Sequence, residues 1–146
     1  MLDSYQRKID YMRISITDCC HFQCAYCKND HPRKLKHQDI LSYEQLLLIV
    51  DQAIQLGINK FKITGGEPTI RKDYLFFIKE LKKRNIKMAI VSNKNYKAVE
   101  SLKDIYFESL IDVALGENEA GGIKKKPAKD MVMSALEKLD STQEKS

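Results

Sequence analysis

Three closely spaced cysteines are the residues of this chain best suited to chemistry. Cys20, Cys24 and Cys27 follow the spacing Cys-x3-Cys-x2-Cys, and all four cysteines of the 146-residue sequence lie between residues 19 and 27. Such a group cannot join distant elements as a secreted disulfide framework does, and in a reducing compartment it is typical of a metal site. Three thiolates at this spacing suit a 4Fe–4S cluster in which one iron stays open to another ligand.

The spacing of the cysteines leaves two other interpretations open. A zinc site could use three cysteines together with His21 or His31, or the thiols could simply be free in a reducing compartment. Cys19 lies outside the spacing and is interpreted as a small buried or loop thiol rather than a fourth ligand.

The elements that must position the cysteines alternate between strand and helix. Polar and apolar residues alternate from residue 11, which predicts a strand that ends where the cysteine loop begins. Ser42 and Gln45 predict the capped start of a helix that Gly57 ends. Further strands are predicted over residues 59–64, 86–92 and 109–115, and further helices over residues 74–83, 96–104 and 131–139. This order predicts an α/β fold with a parallel sheet, whose carboxyl edge normally binds ligands.

A second candidate site follows the second strand, at Thr64-Gly65-Gly66-Glu67-Pro68. The paired glycines predict a turn whose backbone a ligand can approach closely, and Glu67 can accept a hydrogen bond from an ammonium group. Taken alone, the segment is an ordinary turn.

The three cysteines, Tyr26 and this turn together resemble the radical S-adenosylmethionine (SAM) superfamily. The resemblance implies a partial TIM-like barrel of parallel strands, here about four βα units with a short C-terminal helix. It implies a 4Fe–4S cluster on the three cysteines and SAM as the second cofactor, cleaved to a 5′-deoxyadenosyl radical that abstracts hydrogen from a substrate. The SAM-binding residues would be Tyr26, Gly65, Gly66, Glu67, Ser92 and Asn93.

A closer resemblance, covering about residues 11–115, is to the GTP 3′,8-cyclase family of molybdenum cofactor synthesis. It rests on Arg-Ile-Ser-Ile-Thr-Asp at residues 13–18 and Pro-Thr-Ile-Arg-Lys-Asp at residues 68–73. It implies that Arg13, Lys60 and Lys62 hold the triphosphate of GTP, and that an electron donor such as flavodoxin or ferredoxin reduces the cluster. The family carries a second cluster on C-terminal cysteines, whereas no cysteine follows Cys27 here. We therefore do not expect complete cyclase activity from this chain alone. Two explanations stay open: a truncated or degenerating cyclase product, inactive alone, or a short radical enzyme whose barrel a partner chain completes.

The pattern of the strands supports the binding of an anion independently. Lys60 and Lys62 share one face of their strand, and Arg13 lies on the polar face of the first strand. If the apolar faces lie against helices, these cations point into the barrel, where a polyphosphate would compensate their desolvation. In the alternative interpretation, Lys60 lies in solvent and Lys62 extends outward.

Composition bounds the remaining expectations. Lys+Arg 25 against Asp+Glu 20 gives a net charge of +5, too evenly spread to indicate a nucleic-acid partner. No apolar run approaches the roughly 18 residues of a membrane helix, and the start is unlike a signal peptide, so we expect a cytoplasmic protein without membrane contact.

Residues 1–117 are predicted as a partial radical SAM core, and residues 118–146 as a linker and a C-terminal helix. The alternative functions are a small radical SAM activating or peptide-modifying enzyme acting on a partner protein, and a non-catalytic metal-binding fragment.

Overall fold

Two pairs of parallel strands form the framework of the chain. The computed structural model describes residues 2–21, 35, 39–118, 121–123, 126 and 128–141, with side chains up to residue 139. Strand β1 (Tyr11–Ser15) pairs with β2 (Lys60–Thr64), and β3 (Ala89–Asn95) pairs with β4 (Val113–Glu117). Contacts divide the chain into two units, Met1–Phe77 and Ile78–Ser146, which are described separately. The predicted α/β class with parallel strands is confirmed.

Helices follow the strands in the predicted order. Their bounds are Tyr43–Gln55 for α1, Tyr74–Lys83 for α2, Tyr96–Tyr106 for α3 and Asp130–Ser141 for α4. Short 3-10 turns, which the sequence pattern did not predict, occupy Pro68–Ile70 and Glu108–Leu110. In the described ranges, no helix has both the length and the apolar character needed to cross a membrane.

In the first unit, β1 and β2 have one apolar and one polar face, as predicted. Their register places Ile14 opposite Ile63 and Arg13 opposite Lys62. Ile14 is buried, whereas both cations are exposed. The predicted capping box of α1 is also confirmed, because Gln45 and Ser42 exchange side-chain to backbone hydrogen bonds of 2.8 and 3.3 Å.

In the second unit, β3 and β4 begin later than the sequence pattern indicated. The strand predicted over residues 86–92 is found at Ala89–Asn95, and the strand predicted over residues 109–115 is found at Val113–Glu117. Both predicted starts were wrong, by three and four residues. The Asp112 carboxylate accepts the Met88 backbone N–H at 2.8 Å, so this donor is not available to a neighbouring strand and the β3 ladder begins at Ala89. The 3-10 turn Glu108–Leu110 occupies the start of the segment predicted for β4, which begins at Val113. Beyond Val91 the register shifts, and β3 bulges before it continues to Asn95.

Helix α4 packs on the β3–β4 pair. Val113 and Leu115 of β4 form a buried cluster with Ala135 of α4, against which Ala89, Val91 and Leu139 also pack. The Lys87 ammonium donates a hydrogen bond of 3.1 Å to the Leu139 carbonyl near the end of α4. The predicted boundary between residues 117 and 118 stays a prediction.

The β4–α4 cluster leads to a stability prediction. We expect Leu115→Ala to lower the free energy of unfolding by about 2–5 kcal/mol, because it removes a buried side chain and leaves a cavity. Met133→Ala on α4 is the matched control, because Met133 is 56% exposed and Leu115 only 6%. Urea unfolding measures both. Equal losses for the two variants would contradict the packing described here.

Candidate functional site

The turn after β2 is hydrogen-bonded to the first residues of the cysteine loop. The Gly66 N–H donates to the Thr17 carbonyl at 2.8 Å, and the Glu67 N–H donates to the Cys19 carbonyl at 2.7 Å. The Ile16 N–H donates to the Thr64 carbonyl at 2.9 Å, so the pairing of β1 with β2 continues past both strands. The turn and the start of the loop are therefore one backbone unit at the carboxyl edge of the sheet.

Two glycines make this approach possible. A Cβ built on Gly65 would lie 2.2 Å from the Thr17 carbonyl oxygen, and one on Gly66 would lie 2.1 Å from the Cys19 carbonyl oxygen. Both obstacles are backbone atoms, which cannot rotate away as a side chain can. Gly65 also has φ +149°, a conformation that favours glycine. The two glycines were predicted to let a ligand approach the backbone of the turn. In the structure, the backbone of Thr17 and Cys19, at the start of the cysteine loop, approaches them instead.

Of the three predicted cluster ligands, the structure describes Cys20. Its side chain is exposed, and neither it nor Cys19 is in a disulfide. Cys24, Cys27 and Tyr26 lie outside the described residues, as does His31. Within the described part of the chain, no group of three His, Cys, Asp or Glu side chains is arranged to hold a metal ion.

Cys19 is an exposed loop thiol whose surroundings are defined. Its Sγ donates to Asp18 Oδ1 at 3.6 Å, and its N–H donates to the Thr17 hydroxyl at 3.1 Å. Because the Cys19 carbonyl is bound by Glu67, the peptide that leads into Cys20 is fixed at the sheet edge. This edge fits a thiolate-bound cofactor, because it exposes the thiols of Cys19 and Cys20 beside a turn whose two glycines carry no side chain.

Glu67 is oriented by the residues that follow it. Its Oε1 accepts the Thr69 hydroxyl at 2.7 Å and the Thr69 N–H at 3.2 Å. The negative charge of Glu67 also acts on Tyr74: burial raises the pKa of Tyr74 to about 12, and the charges of Glu67 and Tyr43 add to the shift. A neutral phenol therefore lies close to the predicted cofactor-binding carboxylate. Sequence reasoning missed Tyr74, whose position just after the Pro-Thr-Ile-Arg-Lys-Asp segment was the available signal.

Arg71 is the second residue that sequence reasoning missed. Its guanidinium donates to the Ile16 carbonyl at 2.7 Å and to the Leu41 carbonyl at 2.6 Å. The same group lies over the ring of Tyr43, with the guanidinium carbon 4.1 Å from the ring centroid. Arg71 belongs to the motif at residues 68–73, but nothing in that motif indicates backbone carbonyls as its partners.

The three predicted substrate-binding cations do not share one environment. Arg13 and Lys62 lie opposite each other on the exposed face, and neither has an ion pair or side-chain hydrogen bond to any described residue. Lys60 instead lies 3.4 Å from the Asp10 carboxylate, at the amino end of β2 and thus away from the turn. Their roles stay predictions, with only Arg13 and Lys62 brought together.

Ser92 and Asn93, predicted to bind the cofactor, lie in the bulge of β3 in the second unit. Asn93 makes two hydrogen bonds to the Lys126 backbone: its amide nitrogen donates at 3.1 Å and its oxygen accepts at 2.7 Å. Ser92 accepts a hydrogen bond from the Lys94 N–H at 3.3 Å. The cofactor role of both stays a prediction, and Asn93 has a structural partner that its sequence position did not reveal.

The sequence profile of the radical SAM superfamily matches residues 14–139. The chain therefore belongs to the radical SAM superfamily, a superfamily of enzymes, and this membership implies a 4Fe–4S cluster and S-adenosylmethionine as cofactors. The predicted superfamily is confirmed.

Within the superfamily, the chain is similar to proteins named GTP 3′,8-cyclase. That of Aliarcobacter butzleri is 34% identical over 145 residues, which are 96% of this chain and 45% of the relative. That of Thermodesulfovibrio yellowstonii is 37% identical over 142 residues, 96% of this chain and 36% of the relative. That of Petrotoga mobilis is 48% identical over 84 residues, 57% of this chain and 26% of the relative. The chain thus spans less than half the length of these relatives.

The approach of the turn to the loop predicts the effect of Gly66→Ala. We expect it to lower the free energy of unfolding by about 1–3 kcal/mol, because the new methyl group must displace the Cys19 backbone. Gly121→Ala is the control, since the atoms nearest to its Cβ, from 2.7 Å, belong to the side chain of Asn118, which can move aside more easily than backbone. Urea unfolding with hydrogen exchange at the Glu67 amide measures the effect. A Gly66→Ala protein as stable and as protected as the wild type would refute the described fit.

The raised pKa of Tyr74 leads to a prediction that a spectroscopic titration can test. Because burial raises the pKa of Tyr74 to about 12 from an ordinary value of 10.0, the unfolded chain loses this proton first as the pH rises. The free energy of unfolding should therefore fall between about pH 10 and pH 12. In the absorbance of tyrosinate, Tyr74→Phe should remove the last step of the titration, whereas Tyr5→Phe, at an exposed position, should leave it. A last step that persists in Tyr74→Phe would show that another tyrosine produces it.

Proposed function

We propose that this chain is the catalytic part of a radical SAM enzyme of the GTP 3′,8-cyclase type, with Cys20, Cys24 and Cys27 as ligands of one 4Fe–4S cluster. These three cysteines would hold the cluster, which would supply the electron for reductive cleavage of SAM and so the 5′-deoxyadenosyl radical needed for hydrogen abstraction from the ribose of GTP. Superfamily membership and the relatives named GTP 3′,8-cyclase support this proposal.

The observation that carries the proposal is the joining of the turn to the cysteine loop. Gly66 and Glu67 bind the carbonyls of Thr17 and Cys19, so residues predicted to bind SAM lie beside the start of the loop that bears the predicted cluster ligands. Glu67 is already oriented by Thr69, and a fixed acceptor can meet the ammonium group of SAM with little further ordering. Gly65 and Gly66 add no side chain of their own to this edge.

The proposed binding of GTP rests on Arg13 and Lys62. Like charges directly opposite each other on paired strands destabilise the pairing, and no described side chain neutralises these two. A polyphosphate between them would remove the repulsion and gain charge-assisted hydrogen bonds. Lys60 is proposed as a third contact only if its Asp10 partner releases it.

The remaining parts of the proposal concern the surroundings of the site. We propose that residues 1–117 belong to a partial TIM-like barrel of about four βα units and that residues 118–146 are appended to it. Tyr26, Ser92 and Asn93 would complete the SAM site. A partner chain would complete the barrel, and a flavodoxin or ferredoxin would deliver electrons in the cytoplasm.

The cluster is tested by anaerobic reconstitution with iron and sulfide. We expect about four irons per chain and release of deoxyadenosine from SAM under reducing conditions. Cys20→Ala should abolish both, whereas Cys19→Ala, the adjacent thiol, should retain both. If the protein takes up one zinc and no iron, the proposed enzyme function is wrong and the chain is a non-catalytic metal-binding fragment.

The substrate is tested by the dependence of deoxyadenosine release on GTP. We expect Lys62→Met to raise the GTP concentration for half-maximal release by roughly tenfold, because a hydrogen bond to a charged group is lost. Lys8→Met, which removes a cation outside the strand face, should have no such effect. If the release of deoxyadenosine does not depend on GTP but increases when a partner protein is added, the chain is an activating or peptide-modifying enzyme.

A further inference from the structure

We propose that Arg71 is a positioning residue that closes the loop bearing the predicted cluster ligands. The proposal deepens the proposed function and rests on it, because the loop matters to catalysis only if it holds a cluster. The Arg71 guanidinium binds the carbonyls of Ile16 and Leu41, and every cysteine of the chain lies between those two residues in the sequence.

The position of the two carbonyls determines what Arg71 can do. Ile16 directly follows β1, and Leu41 lies two residues before α1, so one side chain joins the two ends of the segment between them. The turn holds the beginning of this segment, through Thr17 and Cys19. A further link, from the Leu35 N–H to the Asp18 carboxylate at 2.7 Å, lies inside the segment.

The guanidinium is itself held in place from several sides. It lies on the ring of Tyr43, which is itself held by the rings of Phe77, stacked with centroids 5.1 Å apart, and Phe76, tilted at 6.4 Å. The Tyr43 hydroxyl also donates to the Lys72 carbonyl at 3.1 Å. The Arg71 N–H donates to the Pro68 carbonyl, and the Arg71 carbonyl accepts the Tyr74 N–H, both at 3.2 Å. The side chain therefore starts from a fixed backbone and ends on a fixed aromatic face.

Only arginine suits these partners. Its planar group offers several N–H donors in a rigid fork, so it can bind two carbonyls in different directions while stacking on a ring. A lysine ammonium is a single point on a flexible stem and cannot replace both contacts at once. Closing the segment in advance reduces the entropy lost when three thiolates converge on one cluster.

The test compares neighbouring substitutions in the full chain. Arg71→Met and Lys72→Met each remove one positive charge and introduce the same side chain. Lys72 is exposed, and its side chain has no hydrogen bond or ion pair to a described residue. The first measurement is hydrogen exchange in the metal-free protein, at the Leu35 amide and across residues 17–21 and 39–43. The second is the rate at which a chelator removes iron from the reconstituted protein.

We expect at least tenfold faster exchange and tenfold faster iron loss in Arg71→Met, and wild-type values in Lys72→Met. Arg71→Lys keeps the charge over Tyr43, so it should melt like the wild type yet lose iron faster. Its reduced cluster should also give a broadened electron paramagnetic resonance spectrum. This variant decides the question if Arg71→Met does not fold.

The two measurements separate failure of this proposal from failure of the proposed function. Wild-type protein that binds no iron would overturn the proposed function, while exchange in the metal-free chain would still report on Arg71. Equal exchange and equal iron retention in Arg71→Met and Lys72→Met would overturn the role of Arg71. So would an Arg71→Lys protein that matches the wild type in iron retention and spectrum.

Discussion

The close contact of two backbone segments is the constraint on which the candidate site depends. The carbonyls of Thr17 and Cys19 accept hydrogen bonds from the turn after β2 at a distance that leaves no room for a Cβ on Gly65 or Gly66. Backbone hydrogen bonds fix direction as well as distance, so the peptide before Cys20 has little freedom at this edge. The turn and the described start of the loop, residues 17–19, therefore hold one arrangement relative to each other.

Local patterns predicted the parts of the fold that depend on neighbours in sequence. Alternation gave the two faces of β1 and β2, and Ser42 with Gln45 gave the start of α1. The start of β3 could not be predicted in this way, because it depends on the Asp112 carboxylate binding the Met88 N–H from 24 residues away. A side chain that competes for a ladder donor leaves no periodic signal.

The same distinction applies to the site. Cysteine spacing and paired glycines are visible in the sequence because thiolate ligands require cysteine and a close backbone approach requires glycine. Arg71 binds backbone carbonyls, which every residue possesses, so its partners Ile16 and Leu41 carry no identifying side chain. Asn93 likewise binds a backbone partner, because its side-chain amide is hydrogen-bonded to the backbone of Lys126, 33 residues further along the chain. Contacts from a side chain to distant backbone thus account for Arg71 and for the structural partner of Asn93.

Strand register explains why three equivalent basic residues in the sequence become unequal in the fold. Lys60 and Lys62 share a strand face, yet the pairing with β1 places Lys62 against a second cation and leaves Lys60 beside Asp10. An ion pair between exposed groups contributes little to stability, so Lys60 is held only weakly by its partner. The repulsion between Arg13 and Lys62 is tolerated because the opposite face, with buried Ile14, holds the strands together. Apolar packing on one face therefore maintains a pair of exposed cations on the other.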